Sequence, residues 1–412
     1  MIGLISEILY RLFYPLLILF HKKGGYSDKS IRLKNGYTEL KNENNNKVIM
    51  FHGVSVGEIN AIEKLIKETR KQFQEAKIVV TTGTNTGQEI AHKKFDEFVD
   101  LVTYFPFDTP SCVKRFLNAI KPDIILIAET EIWPNISIEC KKRNIKLCII
   151  NGRISDRTYK SYKLLKFLFK PLLNNYSGIF TQSTEDLEKF LSLGTNKDTT
   201  ARMNNLKFDI TAPELTFNFD KSGNKVLLAA STHSGEDEIV LSVYKALKKK
   251  HDNLKLIIAP RHLTRINDIE TLVGQSGFTY DFRSNGTDSF SNTDILILDT
   301  MGELGKMFAF ADVSFIGGSF NKTGGHNPLE SIIFSIPVIS GPSIHNFKDI
   351  YSIIQNAGAG FIVKNQEEFI NISDKLLSDN TFYKNTSAAG LDVFKKQQGA
   401  LEFVINYLKN NL

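Results

Sequence analysis

A regular alternation of short apolar runs and amphipathic stretches, begun once and then begun again, constrains this chain more than any other feature. The first series of runs is Val48 to His52, Ile78 to Thr82, Leu101 to Tyr104, Ile124 to Ala128, Leu147 to Ile150 and Gly178 to Thr181, separated by stretches such as Ala61 to Arg70 and Leu187 to Leu193. After a loop over Ala212 to Asn224 the rhythm restarts, with strands expected at Val226 to Ala230, Leu254 to Ala259, Ile295 to Leu298, Val313 to Ile316 and Pro337 to Ser340. Two parallel-sheet α/β domains are predicted, over 23–212 and 213–412 with a hinge near Pro213, after an N-terminal helix over 1–22. Ligands of such folds sit beyond the carboxyl ends of the strands, here in a cleft between two sheets, so chemistry is expected directly after each strand.

With 412 residues, 42% hydrophobic and 23% charged, the chain has material for two domain cores and is neither disordered nor fibrous. A formal net charge of +6 suits an anionic ligand or an anionic membrane surface, but it is too mild and dispersed for nucleic acid. Cys112, Cys140 and Cys148 form no C-x-x-C pair, which argues for buried thiols in a reducing compartment. The histidines show neither H-x-x-x-H nor H-x-x-E-H spacing, so no metal site is expected. The turn after the first strand lacks G-x-G-x-x-G spacing, and G-x-x-x-x-G-K-[ST] does not occur, which disfavours a dehydrogenase or a P-loop enzyme.

The opening MIGLISEILYRLFYPLLILFHKK is mostly apolar, yet Glu7 and Arg11 interrupt it, and Leu12 to Phe20 falls well short of the roughly 20 residues of a membrane span. No basic residue precedes the run and no small-residue cleavage site follows it, which counts against a signal peptide. Lys22, Lys23, Lys29, Arg32 and Lys34 follow, and an apolar helix trailed by cations suits a protein lying on an anionic leaflet. The alternative is a helix packed on the protein's own core. Further on, Lys160, Lys163, Lys166 and Lys170 are interleaved with Tyr162, Phe167, Leu168 and Phe169, which is either a solvated helix face or a second face toward lipid.

After the first strand, Gly53 to Glu58 delivers a carboxylate to a helix start, making Glu58 the candidate general base; the bland role is a first-turn acid whose pKa the helix dipole lowers. Glu129, Glu131 and Trp133 share the end of the fourth strand, where one acid is placed to accept from sugar hydroxyls and the other to pair with a cation such as Arg153. Lys207 stands just before the hinge as a cation for a leaving phosphate, or as a plain surface lysine. In the second domain Arg261, next to Pro260, is the strongest phosphate ligand, because a planar guanidinium grips two oxygens at once. The turn Met301, Gly302, Glu303, Leu304 offers backbone groups to a nucleobase edge. Phe315 to Asp349 then compresses a strand, paired glycines including Gly324 and Gly325, and a helix start at Asn327, Pro328, Leu329 and Glu330 into one phosphate-and-sugar site. Asn327 with Glu330 also reads as an ordinary capping box.

The segments HGVSVGE, ETEIWPN, NGRIS, NLKFD, STHSGE, APRH, DTMGELGKMFAFADVSFIGGS, GGHNPLE and GPSIHNFKDI resemble, in order and spacing over nearly the whole chain, the 3-deoxy-D-manno-octulosonic acid (Kdo) transferases of lipopolysaccharide synthesis. The resemblance implies a GT-B-type glycosyltransferase at the inner membrane, its two Rossmann-like domains facing across a cleft. The first domain would bind the acceptor and the second the CMP-sugar. Kdo would pass from CMP-Kdo to a lipid A precursor (lipid IVA) with inversion and without a metal or cofactor. It assigns Glu58 as base, Glu129 and Lys207 as transition-state stabilisers, and Pro260, Arg261, Met301, Gly302, Glu303, Leu304, Gly325, Asn327, Pro328, Leu329 and Glu330 as contacts of CMP. Two departures stand out. Asn204 occupies a position where the family has glycine, asparagine being a residue that tolerates positive φ, and Gly152 replaces the alanine of many members.

Overall fold

Two parallel sheets form, each seven strands wide, in a computed structural model that describes residues 2–412, the side chains of 2–6 and 9 excepted. Met1 of the expected N-terminal helix lies outside the described residues. The first sheet holds β1 (Val48–Gly53), β2 (Lys77–Thr82), β3 (Leu101–Tyr104), β4 (Ile124–Ala128), β5 (Lys146–Gly152), β6 (Gly178–Thr181) and β7 (Thr200–Arg202) in the order β3-β2-β1-β4-β5-β6-β7. The second holds β8 (Lys225–Thr232), β9 (Leu254–Pro260), β10 (Tyr280–Phe282), β11 (Ile295–Ile297), β12 (Val313–Ile316), β13 (Val338–Ser340) and β14 (Gly360–Ile362) in the order β10-β11-β9-β8-β12-β13-β14.

Each order reverses at one place, and that place positions a site. The chain moves outward from β1 to β3 and then returns to lay β4 on the other flank of β1, with Phe51 beside Leu126 and His52 beside Ile127. In the second sheet β12 returns to the flank of β8, with Phe315 beside Ala229. At such a reversal the loops that leave two neighbouring strands diverge to opposite faces and open a crevice.

Alternate residues of the central strands fill separate cores. Ile49 and Phe51 of β1 join Ile59, Ile62 and Leu65 of helix Val56–Gln72, whereas Val48 and Met50 join Val113, Phe116 and Leu117 of helix Pro110–Ile120. The former core also takes Ala400, Val404, Ile405 and Leu408 from the last helix, Ala400–Asn411. The chain therefore divides into a first unit that runs to Asp209 and resumes over Gln398–Leu412, and a second unit, Ile210–Gln397. The observed break lies close to the one expected at Pro213, but residues 398–412, expected in the second domain, belong to the first. A helix carries its apolar stripe wherever a complementary sheet face exists, and this one meets helix Val56–Gln72.

The N-terminal helix Ile2–Lys23 divides its two readings between its two sides. On one side the Tyr10 hydroxyl donates to Asn35 Oδ1, Asn35 Nδ2 donates to the Tyr14 hydroxyl at 3.1 Å, and Glu7 Oε2 accepts the Ser111 N–H at 3.1 Å. On the other, Leu12, Leu16 and Phe20 are 68%, 62% and 74% exposed. Among the described residues no helix is long and apolar enough to cross a membrane. Lys34, expected among cations meeting lipid, is instead buried. Its ammonium donates to the Gly83 carbonyl at 2.8 Å and sits 5.0 Å from the Tyr26 ring and 5.1 Å from the Tyr104 ring, and burial lowers its pKa to about 8.

Candidate functional site

In the first unit, local capping aims the carboxylates. Ser55 begins helix Val56–Gln72 and accepts the Glu58 N–H, while Glu58 reaches back, Oε2 accepting the Val54 N–H at 2.7 Å and Oε1 the Ser55 hydroxyl at 2.8 Å. This is a capping box, yet the carboxyl does not behave as the bland reading expects. Burial raises its pKa, against the hydrogen bonds from Val54 and Ser55, and the nearby Glu129 charge adds to the rise.

Glu129 leaves β4 with φ of 58°, a left-handed conformation uncommon for a residue with a side chain, and its N–H donates to Ile150 at 2.9 Å. Thr130 Oγ1 accepts the Arg153 N–H at 3.1 Å and donates to the Arg153 carbonyl at 2.5 Å, tying the loop after β4 to the loop after β5. Asp108 then accepts the N–H groups of Asn135 and Ile136, each at 3.0 Å, where helix Pro134–Arg143 starts. Between these ties Glu131 is raised to about 7, first by burial and then by Glu58 and Glu129. The structure thus gathers Glu58, Glu129 and Glu131 at the crevice between β1 and β4. Two residues beyond Glu131, buried Trp133 Nε1 has no hydrogen-bond partner among the described residues, and its ring lies 5.6 Å from Phe105.

Lys207 sits in a 3-10 turn, Leu206–Phe208, held by three asparagines. Asn205 Oδ1 accepts the Lys207 N–H at 3.0 Å, Asn151 Oδ1 the Leu206 N–H at 3.1 Å, and Asn204 Nδ2 donates to the Gln398 carbonyl at 2.9 Å. Asn204 has φ of 72°, the conformation for which the family's glycine is suited.

In the second unit the organiser is Glu236, absent from the sequence-based site. Its buried carboxylate accepts Gly318 N–H at 2.7 Å, Ser319 N–H at 2.8 Å, Phe320 N–H at 2.9 Å and His233 N–H at 2.9 Å. It therefore clamps the loop after β8 to the glycine loop after β12. A side-chain carbon on Gly317 would fall 2.4 Å from the Ser231 carbonyl oxygen, so only glycine fits there. Arg261, at the end of β9, anchors its N–H to Thr232 at 3.0 Å and leaves its side chain exposed. Nearby Glu330 is raised by burial, against the Arg261 charge. His326 and Asn327 present N–H groups that donate to no backbone carbonyl among the described residues.

The helix expected at Asn327 begins at Leu329 and ends at Ile332. Asn327 Oδ1 accepts the Leu329 N–H at 3.1 Å, but among the described residues Glu330 returns no hydrogen bond, so the capping box is half formed. One turn carries little macrodipole, and the loop N–H groups and Arg261 are left as the groups able to meet an anion. Gly325 sits at φ of 77° with its N–H on the Gly318 carbonyl at 2.7 Å, while Pro328 and Leu329 are buried and position Glu330. Among the nucleobase candidates, Met301 is 83% exposed and Gly302 has φ of 81°. Glu303 is engaged by Thr300 and by Arg283 at 3.1 Å, and Leu304 opens the short helix Leu304–Met307.

This arrangement has relatives. Residues 29–210 match the family model described as 3-Deoxy-D-manno-octulosonic-acid transferase (kdotransferase). A 3-deoxy-D-manno-octulosonic acid transferase of Haemophilus influenzae is 33% identical, the match covering 88% of this chain and 86% of that protein. A bifunctional glycosyltransferase/methyltransferase of Fusobacterium nucleatum is 35% identical across the whole chain, which spans 64% of that protein's length. The crystal structure of UDP-GlcNAc 2-epimerase from Neisseria meningitidis, at 15% identity and a TM-score of 0.56 over 88% of this chain and all of that one, shares the fold. With the family model matched over β1 to β7 and 33% identity to the Haemophilus influenzae enzyme over most of both chains, the chain belongs to the 3-deoxy-D-manno-octulosonic acid transferase family of glycosyltransferases.

Proposed function

We propose that the chain transfers Kdo from CMP-Kdo to a lipid A precursor, inverting the anomeric centre. The observation that carries this reading is the carboxylate crevice between β1 and β4, where burial gives Glu58 a raised pKa and hence the basicity a proton acceptor needs. Two protein hydrogen bonds occupy part of the acceptor capacity of Glu58 and leave lone pairs on its oxygens for an incoming hydroxyl. As the acceptor oxygen bonds to the anomeric carbon its proton passes to Glu58, and the bond from that carbon to the phosphate oxygen breaks with its electrons leaving on CMP. Lys207 and Arg261 offset the charge on the departing phosphate, and Glu129 stabilises the positive character of the sugar ring. Pro260, the Met301 to Leu304 turn and the Gly325 to Glu330 segment hold the nucleotide.

The acceptor is a lipid, and two exposed apolar surfaces of the first unit suit a protein on an anionic inner-membrane leaflet. One is the outer side of helix Ile2–Lys23; the other is Leu164 and Phe167, 81% and 71% exposed, among Lys160, Lys163 and Lys166. Helices Ile2–Lys23 and Lys166–Leu173 both pack on helix Pro134–Arg143, which relates the two surfaces within the unit.

Incubation of the purified chain with CMP-Kdo and lipid IVA, followed by mass spectrometry and anomeric NMR of the product, tests the reading. Kdo added with inverted configuration is the expected result. Absence of any transfer, or retained configuration, would overturn it. Calorimetry of CMP against UDP separates it from an epimerase-like or UDP-sugar activity on the same fold.

A further inference from the structure

His233 and His326 meet end to end. Their Nε2 atoms are 2.8 Å apart, their ring centroids 5.1 Å, and their planes differ by 10°. A centroid separation equal to the nitrogen distance plus a ring radius at each end describes two nearly coplanar rings joined by an N–H···N bond, not face-to-face stacking. One imidazole donates from Nε2 and the other, carrying its proton on Nδ1, accepts. The fold builds this contact deliberately: Glu236 holds the His233 N–H and the Gly318 N–H on one oxygen, and a side chain on Gly318 would come within 3.1 Å of the His326 ring.

The charges facing the pair are mostly positive. Arg261 and Arg265 are the cations that act on it, the His262 ring lies edge-on to His233 at 5.8 Å, and His345 backs Gly324. Of the acids, Glu236 is spent on four backbone N–H groups, Asp237 is paired with Arg265, and Glu330 is raised by burial. Without a ligand the rings are therefore held neutral: burial, then a charge on His233 and the Arg261 guanidinium, lowers His326 to about 4, and burial lowers His233 against the Glu236 charge. An anion at Arg261 would offset that cation and attract a proton to the pair. The first added proton preserves the N–H···N bond; a second would set N–H against N–H, so the pair accepts one.

We propose that His233 and His326 act as a single proton acceptor that gains one proton when the phosphate of a cytidine nucleotide binds beside Arg261, adding positive charge to this subsite only while the anion is present. The inference rests on the nucleotide reading given above. Isothermal titration of the full chain with cytidine 5′-(methyl phosphate), a diester that does not itself titrate near neutral pH, is run in EDTA at pH 7 in two buffers of unlike ionisation enthalpy. Buffer-dependent heat reporting uptake of a substantial fraction of one proton is expected, with affinity weakening by up to about tenfold per pH unit from about pH 4, the free value for His326, up to the pKa of the liganded pair. His326→Asn and, separately, His233→Asn should bind more weakly with no buffer dependence, their folding checked by thermal melting. Binding by the wild-type chain without proton uptake overturns the pair alone, and so does uptake that persists in both folded variants. No binding at all overturns both the pair and the nucleotide reading. If neither variant folds, the wild-type buffer comparison still decides.

Discussion

Ser55 and Glu58 hold each other at the start of helix Val56–Gln72, the serine hydroxyl donating to Glu58 Oε1 at 2.8 Å and accepting the Glu58 N–H at 3.4 Å. The carboxylate proposed to take the acceptor proton is thereby fixed by the residue that starts its own helix. Ser55→Ala is expected to lower stability by about 1 kcal/mol, the usual loss for an N-cap, and to reduce turnover by releasing Glu58 Oε1. Urea unfolding and single-turnover transfer on one preparation check the pair of effects; unchanged turnover in the folded variant would separate capping from catalysis.

Glu58→Gln keeps the size of the side chain but removes the proton acceptor. Turnover should fall roughly 10²-fold or more while CMP affinity, whose proposed contacts lie in the second unit, stays within a few fold. Near wild-type transfer by the folded variant would leave Glu129 or Glu131 as the acid to test.

Glu131 makes stability depend on pH in a stated direction. Its folded pKa of about 7 exceeds the ordinary value of 4.5, so between those values the folded state holds more protons than the unfolded state. That contribution is complete below about pH 4.5 and is lost as pH rises toward 7. Melting temperatures across this window should show a smaller decline with rising pH in Glu131→Gln than in the wild type; parallel curves would contradict the burial of this carboxyl.

Cations near the apolar surfaces should separate by role. Lys34→Met is expected to cost about 1–3 kcal/mol, because the Gly83 carbonyl and the Tyr26 and Tyr104 rings lose their cation, and to leave binding to anionic vesicles unchanged. Leu164→Ser with Phe167→Ser should weaken sedimentation with such vesicles and leave the melting temperature nearly unaltered. The reverse pattern would exchange the assignments.

Transfer is expected to survive exhaustive chelation, since the leaving group carries a single phosphate and, among the described residues, no group of histidine, cysteine or carboxylate side chains is arranged to hold a metal. Activity lost in EDTA and restored by magnesium would require a different account of the leaving phosphate.

The central strands were legible because burial on both faces writes a continuous apolar run. The strands that sequence reading missed, Thr200–Arg202, Tyr280–Phe282 and Gly360–Ile362, are each three residues long and lie at sheet edges, where half-exposed positions need no such run. Glu58 and Arg261 were singled out because each stands in the segment that follows a strand. Glu236 and His326 were quoted within motifs but given no role: an acid whose partners are backbone N–H groups of a loop some eighty residues away leaves no local signature. Lys34 was misread for a related reason, since a cation in an aromatic cage and a cation facing lipid have the same neighbours in sequence.

Asp209, the residue at which the first unit breaks off, accepts the N–H groups of Gly399 at 2.7 Å and Leu401 at 2.6 Å, just where that unit resumes. The second unit is thus a guest stitched into its host at one seam. On a ribosome the host's strands emerge first, yet the core that contains Ile49 and Ile62 is still missing Val404 and Leu408 when the guest is already complete. Until residues 398–412 join it, the core of the half made first lacks part of its apolar cover, so the two separated stretches of the first unit must meet before that unit can close.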